Sequence, residues 1–127
     1  MKAALRRRMP MPCRVLLVIE EPLLADLLGD AVSEHGHMCQ IVADEAEALR
    51  LLGRARFDVV VVDVDARATG RDLLLRRMRL VAAGARMVAL VPCGGLRHGL
   101  VVDCDISFEK PLRLRQLAAV LDRAAPR

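Results

Sequence analysis

Short apolar runs alternate along the chain with longer stretches in which apolar residues recur every three or four positions. The runs RVLLVI (14–19), MCQIVA (38–43), FDVVVVD (57–63), RMVALVP (86–92) and DISFE (105–109) have the length of strands. An apolar run without polar alternation reads as a strand covered on both faces. The stretches between them read as helices. PLLADLLGDAVSEHG places Leu23, Leu24, Leu27, Leu28, Ala31 and Val32 on one predicted face, with Pro22 suited to the first turn and Gly36 to the stop. DEAEALRLLGRAR opens on Asp44 with Glu47 three residues on, the pattern of a capping box. GRDLLLRRMRLVAAG and LRLRQLAAVLDRA (112–124) complete the set. The stretch 93–105, CGGLRHGLVVDCD, contains Gly94, Gly95 and Gly99. Each lowers helix stability by about 1 kcal/mol relative to Ala, so a short, irregular helix is expected there.

The resulting order is β-α-β-α-β-α-β-(weak)-β-α. Strands alternating with helices imply an α/β fold, a doubly wound parallel sheet covered on both faces. Its core must be aliphatic, because 127 residues with 54% hydrophobic content include two Phe and no Trp or Tyr. The missing aromatics argue against stacking on single-stranded nucleic acid. The net charge of +4 comes almost wholly from Arg, scattered along the helices as on a solvated surface rather than gathered into a nucleic-acid stripe. Cys13, Cys39, Cys93 and Cys104 lack CxxC spacing and are expected to be small buried residues in a reducing, cytoplasmic setting. Residues 1–12 read as a basic tail without an apolar signal core, and residues 13–127 as one domain. No apolar run has the length of a membrane span.

In a doubly wound sheet the site forms at the carboxyl ends of the strands, where the strand order switches. The first strand ends in Glu20 and Glu21, the third in Asp63 with Asp65 close behind, and the fifth in Lys110–Pro111. Lys110 is the only lysine besides Lys2. Several carboxylates at one edge repel one another unless a cation intervenes, and oxygen ligands suit Mg²⁺. Carboxylate, metal and lysine together fit phosphoryl chemistry, with an Asp as the attacking group. The bland alternative is that Asp63 and Asp65 are turn residues and that Glu20 and Glu21 favour a helix N-terminus electrostatically.

Three pieces, LLVIEEPLLADLL, FDVVVVDVDARATGRDLL and ISFEKPLRLRQL, resemble the receiver domain of two-component response regulators over nearly all the chain after the first dozen residues. The resemblance implies a flavodoxin-like five-stranded sheet in the order 2-1-3-4-5. It implies that Asp63 accepts a phosphoryl group from a histidine kinase or phosphotransfer protein. Mg²⁺ would be held by Glu20, Glu21, Asp63 and the backbone carbonyl of Asp65. Lys110 would contact the phosphoryl group, and Lys110–Pro111 would be cis. The sequence departs from the family's pattern at several points. Both members of the acidic pair are Glu, Val91 replaces the Ser or Thr that ends the fourth strand, Ser107 occupies the switch-aromatic position, and Arg67 replaces a common Pro.

Other function classes fit less well. The DxD of Asp63 and Asp65 is similar to that of haloacid-dehalogenase-type phosphatases, but there the motif follows the first strand, and here it follows the third. A nucleotide or flavin site is disfavoured by EEPLL after the first strand, a loop with no glycine and two acids that repels phosphate. The chain is thus expected not to be an enzyme, and to act through protein contacts with a kinase, a downstream protein or a second copy of itself. No nucleic-acid or membrane partner is expected. The rival within the same fold is a pseudo-receiver, in which Lys110 and Asp63 form a structural ion pair and phosphorylation plays no part.

Overall fold

The computed structural model describes residues 12–64, 71–82, 84–95 and 104–124. Five strands and four helices occur among them. In chain order these are β1 (Arg14–Val18), α1 (Pro22–Glu34), β2 (Met38–Val42), α2 (Glu45–Arg54), β3 (Val59–Asp63), α3 (Arg71–Val81), β4 (Arg86–Val91), β5 (Ile106–Glu109) and α4 (Leu114–Ala124). All neighbouring strands pair in parallel, in the order β2-β1-β3-β4-β5. The chain steps from β1 out to β2, then crosses back to β3, so the switch in strand order lies between β1 and β3.

Alternation along the strands divides the core in two. Val15, Leu17 and Ile19 share one face with Val59, Val61, Val88 and Leu90, and α1 and α4 cover it. Leu16, Val18, Val60, Val62, Met87 and Ala89 share the other with α2 and α3. The valine run 59–62 is fully buried because it lies in the middle strand with helices on both sides. Burying each such side chain contributes about 1.5–3 kcal/mol, and the β-branched residues also fit the pleated surface.

The helix ends follow their capping residues. Asp44 accepts the N–H of Glu47 at 2.8 Å, the expected first half of the capping box. The carboxylate of Glu47 faces Arg50 at 3.8 Å. The stop of α1 uses Gly36 at φ 82°, a left-handed conformation that glycine adopts without strain.

Two expectations need correction. The buried stripe of α1 is Ala25, Leu28, Gly29 and Val32, with Ala31 beside it, while Leu23 and Leu27 are exposed. The stripe keeps the i, i+3, i+4, i+7 spacing but runs through two small residues that let the helix approach the sheet. Of the cysteines only Cys13 is buried. Cys39 and Cys104 are half-buried and Cys93 is exposed, all with free thiols. Cys39 lies on the edge strand β2, and Cys93 in the turn after β4, beyond the core. The basic tail (residues 1–11) and most of the glycine-rich stretch (96–103) lie outside the described residues. No helix among the described residues is long and apolar enough to cross a membrane.

Candidate functional site

Asp63 is the last residue of β3, the strand next to the switch in strand order. Strand alternation sets it on the same face as Val59 and Val61. Its register partner on β4 is Leu90, which in turn pairs with Phe108 of β5. On the other side, β1 and β3 are in register up to Val18 and Val62. Ile19 follows β1 directly and is 2% exposed. The carboxylate of Asp63 therefore ends a row of apolar side chains.

Its counter-charge comes from across the sheet. The Lys110 ammonium donates to Asp63 Oδ1 at 2.8 Å, with 15% of the Asp63 side chain exposed and 32% of that of Lys110. The lysine is positioned by its own backbone, whose N–H donates to the Val91 carbonyl at 2.8 Å. The Lys110–Pro111 peptide is cis. The pair is largely withdrawn from water, which strengthens the attraction relative to a surface pair.

The remaining expected site residues divide. Glu20 lies at the same edge and is exposed. Glu21 also lies there, but its side chain is the N-cap of α1. Its two carboxylate oxygens accept the N–H groups of Leu23 at 3.0 Å and Leu24 at 2.6 Å. Asp65 lies outside the described residues. Val91 closes β4 and is fully buried. Ser107 is half-buried, paired in register with Ala89 on the face opposite Asp63, whereas Phe108 packs on Asp63's own face.

The Mg²⁺ that the resemblance implies meets a poor donor set here. Glu21 is engaged by two backbone donors, and a lysine holds the carboxylate of Asp63. Among the described residues no group of three or more His, Cys, Asp or Glu is gathered to hold a metal ion. Of the expected ligands, Glu21 and Asp63 are thus engaged by other partners, Glu20 is exposed at the same edge, and Asp65 lies outside the described residues. The signal for Glu21 was its place directly before Pro22 at the first helical position, where an N-cap stands.

A doubly wound parallel sheet with an acid at the carboxyl end of the strand beside the switch point, and a lysine reaching it from the edge strand, is a flavodoxin-like α/β domain. No family model matches the chain. It is 30% identical over 109 residues to the transcriptional regulatory protein CutR of Streptomyces coelicolor, a match covering 84% of this chain and 50% of that protein. The chain spans about half the length of the curated relatives it matches. The receiver domain of the sensor histidine kinase PA1611 from Pseudomonas aeruginosa, with magnesium in its active-site cleft, superposes with a TM-score of 0.75 at 23% identity, covering 88% of this chain and 96% of that one. A CheY-like receiver domain from Methylobacillus flagellatus superposes with a TM-score of 0.76 at 19% identity, covering 89% and 98%. The chain has the fold of response-regulator receiver domains and is similar in sequence to transcriptional regulatory proteins over most of its length.

Proposed function

We propose that this domain receives a signal as a phosphoryl group on Asp63 and passes it on through protein contacts. The observation that carries the reading is the Asp63–Lys110 pair at 2.8 Å, at the carboxyl end of the strand beside the switch point. An Asp63 carboxylate oxygen attacks the phosphorus of a phosphohistidine on a histidine kinase or phosphotransfer protein. The P–N bond breaks as the P–O bond forms, and the released imidazole nitrogen keeps the electron pair. Lys110 balances the charge that gathers on the phosphoryl oxygens. No step in this reading uses Mg²⁺. The chain itself is no enzyme beyond taking up this group. Its partners are a phosphodonor protein and a downstream protein or second copy, in the cytoplasm, with no nucleic acid or membrane bound by this domain.

Incubation with a small phosphodonor followed by intact mass tests the reading. One added phosphoryl group is expected, absent in Asp63→Asn. Labelling that survives Asp63→Asn and is lost in Asp65→Asn assigns the acceptor to the wrong aspartate. A second reading, an interaction module that phosphate does not regulate, is favoured by one observation: the Glu21 carboxylate, half of the expected acidic pair, is taken up capping α1. Under it the native protein gains no mass.

A further inference from the structure

The passage from α2 to β3 reads GRAR (53–56) and that from α3 to β4 reads GAR (84–86), so both bring arginines to the amino end of the sheet, a strand's length from Asp63. Two clefts adjoin there. The wider, about 550 Å³, is lined by Leu52, Phe57 and Val81 with Arg54 and Arg56 beside them. The other, about 400 Å³, is lined by Arg86, Arg123, Asp58 and Asp105. Gly84 and Ala85 belong to both. Arg54, Arg56, Arg86 and Arg123 are exposed, and none has an ion-pair partner among the described residues. The aspartates are engaged elsewhere. Asp58 Oδ2 accepts the Arg14 N–H at 2.8 Å, and Asp105 Oδ2 accepts the Met87 N–H at 2.7 Å, with its other oxygen 3.4 Å from Arg79. Asp122, next in sequence to Arg123, faces His37 at 3.9 Å. Four guanidinium groups thus border the clefts without a carboxylate of their own.

We propose that these clefts dock a short acidic segment of a partner protein, its carboxylates on the four arginines and one aliphatic side chain in the wider cleft, against Val81 and the edges of Leu52 and Phe57. An arginine fork meets a carboxylate through two parallel hydrogen bonds. An exposed pair of this kind contributes little by itself, so the aliphatic anchor is needed as well. A nucleic acid is a poorer occupant. Phe57 is 4% exposed and the Arg14 guanidinium lies over its ring at 5.5 Å, which leaves no face for a base. An anionic membrane is a poorer one too, because a flat surface gains no contact inside a concave cleft. The clefts lie at the opposite end of the sheet from Asp63, so docking here does not rest on the phosphoacceptor reading.

The test adds a synthetic acidic peptide, glutamates flanking one leucine, to the full chain and follows amide NMR shifts. Saturable shifts are expected at residues 52–57, 81–82, 84–86 and 123, weakening as salt rises because the contacts are charged. The same peptide with serine in place of leucine should bind more weakly. Arg54→Glu combined with Arg86→Glu should raise the midpoint at least about tenfold, since each reverses a charge at the contact. Gly84→Leu sets a side chain at the junction of the two clefts and leaves the charge unchanged. A Cβ there meets nothing within 4 Å beyond its chain neighbours, so the fold is kept and the midpoint should again rise. Where that variant does not fold, Gly53→Leu, equally open around its Cβ, fills the wider cleft alone. Asp63→Asn should bind the peptide as the native chain does. The absence of saturable shifts overturns the proposal, as does unchanged binding in a folded glycine variant. So does a duplex oligonucleotide or a phosphatidylserine vesicle that moves the same amides more strongly than the peptide, or a dimer of the native chain that Gly84→Leu abolishes.

Discussion

Cys13 and His37 meet at the end of the sheet opposite Asp63, joined by a hydrogen bond from the Cys13 backbone. The Cys13 N–H donates to His37 Nδ1 at 2.8 Å, so the neutral ring carries its hydrogen on Nε2, which faces Asp122 at 3.9 Å. The Cys13 thiol donates to the Leu121 carbonyl at 3.1 Å, tying the start of β1 to α4. Burial, and then the nearby carboxylates of Asp58 and Asp122, push this thiol up from 9.0 to about 11. The ionised form is disfavoured because it would lose its hydrogen bond and face two acids in an apolar setting. The sign of the stability effect follows. Between 9.0 and about 11 the folded chain holds a proton that the unfolded chain has released, so stability present below that window is lost as pH rises through it. Thermal melts across the window should therefore fall more steeply in the native protein than in Cys13→Ser, whose hydroxyl donates without titrating. Parallel curves would assign the alkaline loss to other groups. None of this was legible in the sequence, where Cys13 and His37 are 24 positions apart. The register of β1 against the α1–β2 turn brings them together.

The helices show what a periodic pattern does and does not reveal. The places of the strands follow from apolar runs and two of the helix starts from Pro22 and Asp44, while the strand order came from the family resemblance. The face of α1 did not, because its large residues are spread around the helix. Leu23 and Leu27 read as core but are 78% and 55% exposed, while Ala25 and Gly29 are buried. Size misled where spacing did not. Gly29 permits a test. A Cβ there would meet Ile41 Cδ1 at 3.0 Å and nothing else closer than the neighbouring Ile41 carbon at 3.9 Å. That methyl is the free end of a side chain on the edge strand β2, 45% exposed, so it can turn aside. Glycine within a helix is about 1 kcal/mol less favourable than alanine. Gly29→Ala is thus expected to raise the denaturant midpoint with an unchanged slope, by up to about 1 kcal/mol of stability. A lower midpoint would mean that Ile41 is held in place and that α1 needs a bare backbone to reach β2.

At the scale of the whole domain, the strand ends Asp63 and Lys110 were legible because the sheet topology alone brings them to one edge. Whether a signal leaves that edge depends on β4. Val91 links the two sides: its carbonyl accepts the Lys110 N–H at 2.8 Å, and it pairs in register with Glu109. Glu109 in turn accepts the Gly94 N–H at 3.3 Å, fastening the turn after β4. A hydroxyl at position 91 would have something to gain from a phosphoryl group on Asp63, because a hydrogen bond to a charged group is worth about 1.5–3 kcal/mol. That is the size of a typical coupling between sites. Valine fills nearly the same volume as threonine and is fully buried here, but it offers no such bond. A ligand that favours two states equally shifts neither, so phosphorylated native protein should show small amide shifts over residues 91–95 and 104–111. Val91→Thr should enlarge them, since the threonine hydroxyl then rewards the state in which it reaches the phosphoryl oxygens. The comparison is an NMR shift map of both proteins before and after a small phosphodonor. Large shifts across this edge in the native sequence would place the coupling in the Lys110 ammonium, released from Asp63 and drawn onto the phosphoryl group, and would make the residue at position 91 a spectator.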